Sequence, residues 1–188
     1  MEAQRFPDDF DGWLVGAPGN NWTGHMTEYL KEWQVIHQQK EPLLKSQIEA
    51  LSTAAIARCD ASDGVVDGII QEPLKCGFDP GQLLCKSAPD GRCLSAPQVA
   101  TVRELYDDVR DAKTHASLAP GYQGVLGIEA DIWPDLLGIN SRSDGTSVIS
   151  KYFSENFWRD IVYGDTHIDV TQLKASHDLL VVGTILDC

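Results

Sequence analysis

The segment Cys59-Asp60-Ala61-Ser62-Asp63-Gly64-Val65-Val66-Asp67-Gly68-Ile69-Ile70 places aspartates at 60, 63 and 67, the last two each followed by glycine. Glycine reaches backbone angles closed to other residues, so the chain can fold back here and turn main-chain carbonyls inward. Three carboxylates with no Lys or Arg between them repel one another unless a cation sits among them. Hard oxygen donors on a flexible loop suit Ca²⁺. The spacing is not that of an EF-hand. With Asp60 as position 1, position 5 is Gly64, position 6 is Val65 and position 12 is Gln71. An EF-hand needs an oxygen donor, a glycine and a glutamate at those three places. The segment is therefore either a different calcium loop or a pair of Asp-Gly turns, which form without metal.

The cysteines add a second constraint. Cys59 and Cys76 flank the loop, and Cys85 and Cys93 bracket a short Pro-Asp-Gly turn. Four clustered cysteines in a Gly/Pro-rich stretch are expected as disulfides, which belong to oxidising compartments. They allow three connectivities, and sequential pairing, Cys59–Cys76 and Cys85–Cys93, is the expected one. It leaves Cys188 unpaired. A bridge across a loop of the first size contributes about 3 kcal/mol in the chain-entropy model. The rival is a zinc site built from four thiolates, and the lack of any C-x-x-C pair weighs against it.

The run Cys-Asp-x-x-Asp-Gly-x-x-Asp-Gly-Ile-Ile with a downstream cysteine resembles the calcium loop in the lid domain of the fungal tannase and feruloyl esterase family. Other segments agree. Met1 to Gly12 resembles the stretch just after that family's nucleophile turn. Gly16-Ala17-Pro18 and Asn20-Asn21-Trp22 resemble the next core strand and its exit into the lid, and Phe157-Trp158-Arg159-Asp160-Ile161-Val162-Tyr163 the end of the lid. The resemblance implies a secreted serine carboxylesterase with an α/β-hydrolase core, acting on aromatic esters such as feruloyl and galloyl esters. It implies one Ca²⁺ held by Asp60, Asp63 and Asp67 side chains and by the Val65 and Ile69 carbonyls, with water completing the shell. It also implies that this calcium holds the lid's own loop, while the lid shapes and covers the substrate pocket.

A catalytic triad is not legible. The family's serine sits in a Cys-Ser-x-Gly-Gly turn that would lie immediately before Met1, and no G-x-S-x-G elbow occurs in the chain. The family's aspartate and histidine follow the lid in core segments. Asp187 is the one candidate acid, but its surroundings do not match. His25, His37, His115, His167 and His177 sit in no catalytic setting and are expected on helices or at the surface. By this reading the chain alone is inactive.

At 188 residues and 43% hydrophobic content, the chain can bury a sizeable core. A net charge of −13 disfavours nucleic acid and anionic membranes as partners. The opening residues do not read as a signal peptide, so a secreted protein with these cysteines is expected to have its natural start upstream. No apolar run reaches the ~20 residues needed to span a bilayer. Asn21-Trp22-Thr23 is a glycosylation sequon, used only in a secretory setting.

The expected fold is α+β: the lid domain of an α/β-hydrolase, with helices, Gly-rich loops and a calcium loop, plus a truncated piece of the core. Residues 1–21 would be the core remnant, 22–176 the lid and 177–188 an atypical tail. Residues 1–6 could finish a helix, and Trp13 to Ala17 reads as a short buried strand. Met26, Tyr29, Leu30, Trp33 and Ile36 recur at helical spacing to about Lys40. Pro42 is expected to start a second helix, with Leu44, Ile48, Leu51 and Ala55 on its apolar side, ending near Cys59. Ser95 should cap a third, with Pro97 in its first turn and Val99, Val102, Leu105, Tyr106 and Val109 as its apolar face. Leu118 to Gly138 reads as loops with a possible hairpin, and Ser147 to Trp158 as another helix. The alternative function is a non-enzymatic, calcium-stabilised extracellular binding module. Dockerin-type loops are its nearest likeness, but those come duplicated and only one such loop is present.

Overall fold

The computed structural model describes residues 5–16, 21–86, 91–111, 113–122, 126–138 and 148–174. The first long helix, α1, spans Trp22–Gln38. It starts before the apolar stripe because Asn21, at φ 51°, caps it, its side chain accepting from the Gly24 amide at 3.3 Å. Met26 and Leu30 are buried beneath it.

Helix α2 spans Lys45–Cys59 and starts later than Pro42. The Pro42 carbonyl accepts from the Gln98 side chain at 2.8 Å, and the Leu44 amide donates to Gln47 Oε1 at 2.9 Å. These bonds hold Pro42 to Leu44 outside the helix and leave Leu44 exposed, while Ile48, Leu51 and Ala55 form the buried face. Helix α3 spans Ala96–Tyr106 behind the expected Ser95 cap. The Ser95 hydroxyl accepts from the Gln98 amide, and the Ser95 amide donates to Gln98 Oε1, a reciprocal capping box. Val99, Val102, Leu105 and Tyr106 are buried, whereas Val109 lies beyond the helix.

Val109 opens strand β1, Val109–Arg110, which pairs antiparallel with β2, Ser117–Ala119. The hairpin therefore lies mostly before the Leu118–Gly138 stretch where one was expected, with His115 at φ 58° in its turn. That stretch instead contains helix α4, Glu129–Leu136. Its internal Pro134 obscured the signal in the sequence. Helix α5, Ile149–Ser154, runs into a π-helical segment, Glu155–Tyr163, that carries the helical course past Trp158 to Gly164 at φ 62°. Among the described residues the architecture is thus helical with one small antiparallel sheet, an α+β arrangement.

Two cores result. The larger gathers α2, α3 and α4 around Ile48, Leu51, Val102, Leu105 and Trp133, and takes in Cys59 and Cys76. The smaller packs Met26 and Leu30 of α1 against Phe157, Trp158 and Val170, with the Trp158 indole donating to the Met26 carbonyl at 3.1 Å. Residues 13–16 are not a buried strand. They are irregular, and Trp13, Leu14 and Val15 are exposed. A strand requires a hydrogen-bonded neighbour, and among the described residues the one sheet pairs only β1 with β2. Residues 1–4, Ala17 and Ser147 lie outside the described residues, as do His177, Asp187 and Cys188.

Candidate functional site

The aspartate loop leaves the C-terminus of α2 through a 3₁₀ turn, Asp60–Asp63, closed by Gly64 at φ 94°. The Ser62 hydroxyl donates back to the Cys59 carbonyl at 2.6 Å. Asp60 is buried, and its Oδ1 accepts from the amides of Asp67 at 3.2 Å and Gly68 at 3.0 Å. That pair of bonds folds the loop back on its own start, with Gly68 at φ 82° making the turn. Asp63 and Asp67 are exposed, and each accepts from the amide two residues on, Val65 at 2.9 Å and Ile69 at 3.0 Å. Ile70 then re-enters the core.

Both disulfides have the sequential connectivity. Cys59–Cys76 closes the loop and Cys85–Cys93 the turn after it. The first one and the loop border a cavity of about 330 Å³ lined also by Arg58, Ser62, Asp63, Glu72 and Lys75. The fold therefore brings two cations near Asp63 that the linear spacing did not suggest. Lys75 pairs with Glu72. Among the described residues Asp60, Asp63 and Asp67 make no ion pair.

The donor chemistry of the loop fits a hard dication. Each of the three carboxylates uses one oxygen on backbone amides, and the other takes no protein donor among the described residues. Neither the Val65 nor the Ile69 carbonyl accepts a backbone hydrogen bond there. The side chains are not gathered on one point, however. Among the described residues no group of three or more His, Cys, Asp or Glu side chains lies close enough together to hold a metal. Any ion in this loop would rely on main-chain oxygens and water beside the aspartates.

Among the described residues the histidines carry no catalytic pairing. His25 lies 3.9 Å from Glu28, His37 packs near Trp33, and His167 is exposed beside Asp165 at 3.2 Å. Among the described residues none is hydrogen-bonded to a serine, threonine or cysteine side chain.

Two buried acidic groups were invisible in the sequence. Glu129 is fully buried at the start of α4. Its Oε1 accepts from the Tyr106 hydroxyl at 2.6 Å, and its Oε2 from the Ser52 hydroxyl at 3.0 Å and the Gly127 amide at 2.9 Å. Burial and this carboxylate push the Tyr106 phenol up. Glu32 is buried on α1 with neither carboxylate oxygen hydrogen-bonded. Burial, then Glu28, push its carboxyl up to about 8. Burial pushes Glu28 up to about 7, with Asp108 adding and Lys31 opposing. In sequence Glu32 follows Lys31 and Glu129 stands two residues before Asp131, so both read as ordinary surface charges, and only the packing sets them apart.

Residues 1–184 match the family model described as tannase and feruloyl esterase. The chain belongs to the tannase and feruloyl esterase family. Among relatives of known sequence, it is 30% identical over 184 residues to an uncharacterized esterase of Xanthomonas campestris pv. campestris, covering 95% of this chain and 31% of that protein. It is 25% identical over 179 residues to feruloyl esterase B of Aspergillus niger, covering 92% of this chain and 31% of that protein. The crystal structure of feruloyl esterase B from Aspergillus oryzae superposes with a TM-score of 0.74 at 27% identity, covering 97% of this chain and 35% of that one. An esterase from the same organism gives a TM-score of 0.79 at 24% identity, a likeness of fold. The chain thus spans about a third of the length of the family members it matches.

Proposed function

We propose that this chain is the lid portion of a secreted carboxylic ester hydrolase that acts on aromatic esters of the feruloyl or galloyl kind. The observation that carries the reading is the family match across residues 1–184 in a chain about a third as long as its relatives. The reaction would be acyl transfer to water on an α/β-hydrolase core. Serine attacks the ester carbonyl, histidine moves the proton, aspartate orients histidine, and backbone amides hold the oxyanion. Neither a Cys-Ser-x-Gly-Gly turn nor a G-x-S-x-G elbow occurs in these 188 residues, and the contribution proposed for them is the cover over the pocket. Two disulfides support an oxidising compartment. Among the described residues no helix is long and apolar enough to cross a membrane.

Calcium belongs to the same proposal. Asp60, Asp63 and Asp67 would supply side-chain oxygens, and Val65 and Ile69 main-chain carbonyls. When bound, the ion cross-links the two halves of the loop and offsets the repulsion of its carboxylates. Asp60 shapes the loop through the Asp67 and Gly68 amides, while Asp63 and Asp67 project to solvent. Calorimetric titration of the chain with Ca²⁺ should show one site, and Asp63→Ala should remove most of the affinity. Unchanged binding in that variant overturns the assignment.

The activity reading is tested by assaying the purified chain with methyl ferulate and a nitrophenyl acetate against a heat-killed control. No saturable turnover is expected, because a nucleophile turn also supplies one oxyanion-hole amide. Turnover abolished by a serine-directed covalent inhibitor would reveal a nucleophile within this chain and overturn the lid assignment.

A further inference from the structure

Glu32 is 2% exposed, and neither of its carboxylate oxygens has a hydrogen-bond partner. Glu28 sits one turn earlier on the same face of α1, its side chain only 16% exposed. We propose that Glu28 and Glu32 form a proton-operated latch, which holds α1 against the β1–β2 hairpin while both carboxyls are neutral and loosens that joint when they ionise.

The charges around the pair explain why it must stay neutral to pack. On α1 itself the neighbours are His25, 3.9 Å from Glu28, then Tyr29 and Lys31. From the hairpin side come Asp108 and the buried Tyr122. The Tyr122 hydroxyl faces Glu32 outside full hydrogen-bonding geometry, and with Lys31 it opposes the rise in the Glu32 carboxyl that burial and Glu28 cause. Asp108 Oδ2 pairs with Arg110 at 3.3 Å, and its Oδ1 accepts from the Gly121 amide at 3.1 Å, so Arg110 is already engaged. Lys31 is the one cation facing both glutamates among the described residues. Its ammonium donates to the Asp107 carbonyl and is shared with Glu104, Asp107 and Asp108. One lysine cannot neutralise that set. A buried carboxylate without a partner is costly, and like charges four residues apart on a helix repel. Ionising the pair therefore puts two negative charges where α1 meets Asp108 and Tyr122.

The direction follows from linkage. Folding raises these carboxyls from 4.5 to about 7 and about 8. Below about pH 4.5 both are protonated in either state, and their contribution to stability is fully present. As pH rises, the unfolded chain releases its protons first and stability falls. The fall ends once pH passes about 7 for Glu28 and about 8 for Glu32.

The test is urea unfolding of the chain and of Glu32→Gln between about pH 5.5 and 8.5. Glutamine keeps the shape of the protonated acid and cannot ionise. The expected result is that the folding constant of the unsubstituted chain falls more steeply with pH, by about tenfold per pH unit between 5.5 and 7.5 relative to the variant. Equal slopes overturn the proposal. A carbon-13 titration of the glutamate carboxyls in the unsubstituted chain decides it even where the variant fails to fold. A Glu32 midpoint between 7 and 8 supports the latch, and one near 4.5 overturns it. Amide exchange at about pH 5.5 and about pH 8.5, corrected for the intrinsic pH effect, should show α1 and residues 117–122 losing protection at the higher value. Uniform protection at both pH values overturns the mechanical part.

Discussion

Asp60 and Asp63 stand three residues apart in one loop and do different work. The buried Asp60 carboxylate satisfies the Asp67 and Gly68 amides and so folds the loop back on its own start. The exposed Asp63 accepts only from the local Val65 amide. With calcium chelated, Asp60→Ala is expected to cost about 1–3 kcal/mol, because it removes the charged acceptor of two amides. Asp63→Ala should change stability by less than about 0.5 kcal/mol under the same conditions. Urea unfolding of both variants with a chelator present checks the contrast. If the two lose equal stability, Asp60 is not the organiser of the loop.

The elements are tied by cross-links between helix ends rather than by broad sheet pairing. Cys59–Cys76 joins the end of α2 to the segment after the loop, and both sulfurs belong to the larger core. Gln47 and Gln98 tie α2 to α3 by exchanging side-chain hydrogen bonds at 2.9 and 3.0 Å, and each also binds a loop carbonyl, Cys93 or Pro42. Replacing Cys59 and Cys76 together by serine should cost about 3 kcal/mol in the chain-entropy model. Replacing Cys85 and Cys93 should cost less, since that bridge closes a shorter loop, 8 residues against 17. Denaturant unfolding of the two double variants measures the order, and a greater loss at Cys85–Cys93 would contradict it.

Across the whole molecule, apolar surface remains uncovered. Leu14 is wholly exposed, and Phe10, Val15, Val66, Tyr152 and Ile161 are each more than half exposed. Exposed apolar residues scattered singly are ordinary, but a run such as 13–15 favours association. The chain is therefore expected to self-associate as its concentration rises, and Leu14→Ser with Val15→Ser to reduce that association. Sedimentation velocity over a concentration series measures it. Identical behaviour of the chain and the double variant would show that this segment is not the adhesive surface.

The sequence alone determined the features that depend on near neighbours along the chain. The Ser95 cap with Pro97 behind it, the stripe from Met26 to Trp33, the end of α2 at Cys59 and the two disulfide pairs all rest on local spacing, and each is present. The family was legible too, because its aspartate loop is a contiguous string. The tertiary structure decided what depends on distant partners. Pro42 does not open α2 because Gln98, far along the chain, takes its carbonyl. Residues 13–16 are not a strand because strand formation needs a hydrogen-bonded neighbour, and none is paired with them among the described residues. Glu32 and Glu129 look alike in sequence, yet one is buried without a hydrogen bond and the other meets Tyr106, Ser52 and Gly127. Local spacing sets caps, turns and short cross-links. Burial and charge environment are set by whichever segments the fold brings alongside.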